Sequence, residues 1–102
     1  MSVDPEGVYA PGRDGRRALV HEYQNENYGL ADISELLQIG QLNDREGENL
    51  SLALSRKDIT DLANLANAFS FDYDEGFVEM CLDIQRFATE APGDTLVFTE
   101  KA

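Results

Sequence analysis

Leu50, Leu52 and Leu54 alternate with Ser51 and Ala53, a period of two that predicts a strand with one buried side. Directly after it, Ile59, Leu62, Leu65, Ala66 and Phe69 recur three and four residues apart, which predicts an amphipathic helix. Ser55 is placed to cap that helix, with Asp58 three residues on to close a capping box. The same spacing returns at Phe77, Cys81, Ile84 and Ala88 and predicts a second long helix, about Asp74 to Thr89. Val78, Met80, Leu82 and Phe87 widen its apolar stripe, so the helix is expected to touch more than one element. The run APGD at 91–94 stops it, and TLVFT at 95–99 reads as a final strand.

Upstream the pattern is shorter and more often broken. Arg17 to Tyr23 carries β-formers at Leu19, Val20 and Tyr23 and is expected to be a strand. A turn follows at QNENYG, 24–29. A short helix is predicted over Asp32 to Gln38, with Asp32 as N-cap, Glu35 completing the box and Gly40 as its stop. Asn43 to Asn49 reads as a second polar turn. Pro5, Gly7, Pro11, Gly12 and Gly15 mark residues 1–15 as a flexible N-terminal arm, docked through Val8 and Tyr9, ahead of one globular domain at 16–102. The expected class is α+β: a small sheet of about three short strands, with one short and two longer helices packed on one face.

The stretch LSLAL, SRKDITDLANLANAF, SFDYDEG and FVEMCLDIQRFA, within Asn49 to Ala88, resembles the ribbon-helix-helix family. The resemblance implies a strand that pairs across a homodimer through Leu50–Leu54, and a transcriptional regulator as the alternative function. In that family the outward strand residues read DNA. Here they are Ser51 and Ala53, with Asn49 before them; none is basic and alanine offers no hydrogen bond.

Charge narrows the partners. Twenty acids against eight bases give −12 over 102 residues. Ten acids and four bases lie in residues 1–49 (−6), two of each in 50–69 (0), and eight acids and two bases in 70–102 (−6). Such a field repels nucleic acid and anionic membrane and favours a protein partner with a basic surface. Adaptation to salt, or plain solubility, is the first account of the bulk charge taken alone. The N-terminus has no basic start followed by an apolar run, and no apolar run is long enough to span a bilayer. One cysteine excludes an internal disulfide. A cytoplasmic protein is expected.

Candidate chemistry is sparse. SFDYDEGF, 70–77, invites a calcium loop starting at Asp72, but the fifth position is Gly76, the sixth is Phe77 and the twelfth is Asp83, where an EF-hand needs a ligand, glycine and glutamate. Asp44, Glu46 and Glu48 lack a closing acid. His21, the single histidine, sits within a strand, and Cys81 lies on an apolar helix face; both read as structural. No phosphate loop, zinc spacing or nucleophile elbow is present. Neither an enzyme nor a cofactor nor a metal is expected.

One constellation remains. Glu75, Glu79 and Asp83 fall four apart on the second long helix, a like-charge stripe that costs a few tenths of a kcal/mol per pair. Tyr73 and Asp74 extend it over the preceding turn. A solvated helix face is the bland account. The functional account makes Tyr73, Asp74, Glu75, Glu79 and Asp83 the contact with a basic or nucleic-acid-handling protein partner. That describes a small binding protein of the antitoxin, immunity or phage-inhibitor type. DNA mimicry is a minor branch, because carboxylates about 6 Å apart match phosphates about 3.4 Å apart only loosely.

Overall fold

The structure is a computed structural model and describes residues 5–24, 28–39, 42–43, 50–68 and 75–101. In chain order the elements are β1 (Gly7–Pro11), β2 (Arg17–Glu22), α1 (Leu30–Leu37), β3 (Leu42–Asn43), β4 (Leu50–Ser55), α2 (Arg56–Ala68), α3 (Glu75–Glu90) and β5 (Thr95–Lys101). The strands make one antiparallel sheet in the order β2-β1-β5-β4-β3. The expected α+β class holds, with five strands where about three were expected.

Alternation decides which side of the sheet is covered. Leu52 pairs with Phe98 and Leu54 with Leu96, and all four are buried. Val8 and Ala10 join them from β1, and Ile33, Leu62, Phe77, Met80 and Ile84 meet them from the three helices. α1 and α2 pack on β4 and α3 packs on β2, so the helices share one face, as the sequence predicts.

The helix ends are tied by specific groups. At α2, Asp58 N donates to Ser55 Oγ at 3.1 Å and Ser55 N to Asp58 Oδ2 at 3.0 Å, the predicted reciprocal box. The C-terminus of α3 carries two guanidiniums. Arg56 donates to the carbonyls of Ala88, Ala91 and Gly93, and Arg13 donates to that of Glu90. Both satisfy acceptors that a helix end leaves unpaired and oppose its partial negative charge.

Several expectations change. The N-terminal arm supplies β1, seated between β2 and β5 with Val8, Tyr9 and Ala10 buried. The boundary at residue 15 therefore falls in the hairpin turn joining β1 to β2. Gly15 takes the left-handed φ of +80° in that turn, where glycine carries no Cβ penalty. Gly7 is a matter of space: a Cβ there would lie 2.1 Å from the His21 carbonyl oxygen. The short helix begins two residues early. Gly29 is its N-cap, and Asp32 accepts from Gly29 N at 2.8 Å as the third helical residue. It ends with Gln38 in the left-handed region, whereas the expected stop, Gly40, lies outside the described residues.

The strand–helix–helix order that resembles the ribbon-helix-helix unit is present as β4–α2–α3. Its strand, however, pairs with the chain's own β5 along Ser51–Ser55 and with β3 at Leu50 and Ser51. No helix among the described residues is long and apolar enough to cross a membrane.

Candidate functional site

β2 is an edge strand, and α3 lies across it on the helix side. A β-bulge sets what β2 presents. Val8 pairs with His21 and Tyr9 with Leu19, so Val20 is the extra residue and the alternation of β2 is reset there. His21 is thereby turned inward, 5% exposed, beneath α3. Its Nδ1 lies 2.8 Å from Asp83 Oδ2. An ionised carboxylate only accepts, so Nδ1 carries the proton. The other oxygen, Asp83 Oδ1, accepts from Arg86 Nη1 at 3.0 Å.

An open cleft of about 360 Å³ lies over this pair, lined by His21, Glu22, Gln24, Glu75, Gly76, Glu79 and Asp83. Three acids of α3 thus line it, with Glu22 at its rim. Helical spacing delivers Glu75, Glu79 and Asp83 to one side of α3, and the end of β2 delivers Glu22.

The predicted contact residues divide into three groups. Glu75 and Glu79 are exposed and line the cleft. Asp83 also lines it, but its side chain is 20% exposed and bonded on both oxygens, so it serves the joint between strand and helix as well. Tyr73 and Asp74 lie outside the described residues, as do Asp72 and the acids at 44, 46 and 48. Sequence reasoning missed Glu22 and Gln24. The hint was present in the alternation around His21, but the bulge that orients this end of β2 leaves no signature in a single sequence.

The remaining chemistry is structural. Cys81 is fully buried, and burial pushes its thiol up to about 12, so it stays protonated and unreactive at neutral pH. No group of three or more His, Cys, Asp or Glu among the described residues is placed to hold a metal ion. Set beside family models, curated proteins and solved structures, the chain matches none.

Proposed function

We propose that the chain is a small, cytoplasmic, non-enzymatic binding protein that inhibits or regulates a protein partner with a basic surface, in the manner of antitoxins, immunity proteins and phage-encoded inhibitors. The observation that carries this reading is the cleft, lined by Glu75, Glu79 and Asp83 of α3 and by Glu22 at the end of β2. A lysine or arginine entering it meets Glu22, Glu75 and Glu79, with Asp83 held beneath by His21 and Arg86. Tyr73 and Asp74, which directly precede Glu75 in the sequence, belong to the proposed contact. The net charge of −12 would speed encounter with a cationic surface and weaken the complex as salt rises.

The test compares two triple variants of equal net charge. One reverses the cleft (Glu22→Lys, Glu75→Lys, Glu79→Lys). The other reverses three exposed acids elsewhere (Glu35→Lys, Glu90→Lys, Asp94→Lys). Partners are captured from host lysate, purified and titrated by calorimetry. The cleft variant is expected to lose binding while the control keeps it. Equal retention or equal loss in both would overturn the assignment.

A further inference from the structure

β2 ends the sheet, and no described strand lies beyond it. The bonds at its two ends show which way its backbone groups turn. In an antiparallel pair alternate residues bond to the neighbour, and the residues between them turn N–H and C=O the other way. Gly12 N donates to Arg16 O at 2.7 Å and Tyr23 N to Glu6 O at 2.9 Å, so Arg16 and Tyr23 face the β1 side. Alternation from each end then turns the backbone groups of Leu19 and Glu22 to the open edge. Both residues are exposed, Leu19 at 44%. Sheet edges are commonly guarded by proline or lysine, and β2, RALVHE, has neither.

The edge and the cleft are continuous. His21 of β2 lines the cleft together with Glu75 and Glu79 of α3, and Glu22 stands at its rim. Residues paired across a ladder share a face. A residue laid opposite His21 from outside therefore carries its side chain to the helix side, into the cleft.

We infer that β2 takes up an extended segment of a protein partner as an added antiparallel strand, with a lysine or arginine of that segment opposite His21. Resting on the cleft as a cation site, the added strand explains how the cation arrives: main-chain bonds hold the segment and the cleft selects it. Charge chooses the occupant. An acidic side chain at that position would meet Glu75 and Glu79, and an apolar one would leave them without a counter-charge. The β2 of a second copy brings neither lysine nor arginine to the helix side, where its residues are Ala18 and His21, opposite the buried Ala10 and Val8.

The bulge at Val20 sets the outward groups of Leu19 and Glu22 three residues apart, where a regular edge has two. Main-chain bonds alone fit such an edge poorly, so the side chain in the cleft fixes the register. That register makes a sharp demand. His21 turns its own backbone groups towards β1, so the cation-bearing residue opposite it points its N–H away from β2. The residue before it lies opposite Glu22 and exchanges both bonds with it.

The probe is a capped peptide of the length of β2, six residues, made of threonine and valine with arginine at its third position. It is titrated to about 1 mM into the isotope-labelled full chain and followed by amide NMR. The signals of Leu19 and Glu22 are expected to shift and their amides to exchange more slowly. N-methylation of the residue before the arginine is expected to weaken binding about tenfold or more, and N-methylation of the arginine to leave it unchanged. The methyl groups sit on the probe, so the folding of the protein is not at stake. Equal effects of the two methyl groups, or no binding of the parent peptide, would overturn the inference. Shifts of Leu19 and Glu22 in the free chain as its own concentration rises would do the same, by giving the edge to a second copy. The double variant Glu75→Lys, Glu79→Lys separates the two readings, and it is expected to abolish peptide binding. Binding that ignores both methyl groups but is lost in this variant keeps the cleft and rejects the added strand. Binding that the variant retains takes the cation out of the cleft and rejects both.

Discussion

His21 and Asp83 stand 62 residues apart in the chain and 2.8 Å apart in the fold. Their contact joins an edge strand to the helix that covers it, with the histidine 5% exposed. Truncating either partner removes a hydrogen bond to a carboxylate at a largely buried joint, which costs about 1–3 kcal/mol. Asp83→Ala and His21→Ala are each expected to lose about that much in urea unfolding. Glu79→Ala, at an exposed position four residues away, should change stability by less than about 0.5 kcal/mol. Equal effects at residues 79 and 83 would show that the pair contributes nothing.

Arg56 makes a second long connection. Its guanidinium reaches the carbonyls of Ala88, Ala91 and Gly93 and so holds the end of α3 against the start of α2. Lysine cannot reproduce a planar fork of donors. Arg56→Lys is expected to cost about 1–2 kcal/mol. Hydrogen exchange should locate the damage, with faster exchange in the last turn of α3 and little change around Phe77.

Gln38 ends α1 at φ 57°, a conformation that costs a side-chain-bearing residue about 1 kcal/mol. Gln38→Gly is expected to raise thermal stability by about 0.5–1 kcal/mol. A loss of stability would mean that the exposed glutamine makes a contact worth more than the strain.

For Cys81 the sign follows from proton counts. The folded thiol is pushed up to about 12, while an unfolded one titrates near about 8.5. Above that pH the unfolded chain sheds a proton that the folded chain keeps, so stability falls as pH rises, by roughly 1.4 kcal/mol per unit. Denaturation midpoints should decline between about pH 9 and 11, less steeply in Cys81→Ala. A thiol reagent should modify the native protein only after unfolding.

How much of this was legible depended on range. From Leu50 to the end of β5, local periodicity carried the information: Leu52 and Leu54 inward, Ser55 and Asp58 as a box, Phe77 to Ala88 as a core stripe. β1 was hidden because Gly7 and Pro11 flank it. Those residues read as a loop, yet Gly7 is there because the His21 carbonyl passes too close for a Cβ. In the cleft, the spacing of Glu75, Glu79 and Asp83 was visible. The additions of His21 and Glu22 depend on one bulge and one helix–strand crossing, which a single sequence does not encode locally.

β5 is the middle strand of the sheet, hydrogen-bonded to β1 on one side and β4 on the other. Gly7, already paired with Glu22 of β2, therefore finds its neighbour on the other side only at Lys101. The β1–β2 hairpin and the β4–α2–α3 unit precede β5 in the chain as two halves with no shared ladder, and neither has a complete core until β5 joins them. Closing contacts of such high sequence separation is slow, so folding should wait on β5 and then proceed all at once. Loss of residues 95–101 would leave two fragments where there had been one sheet.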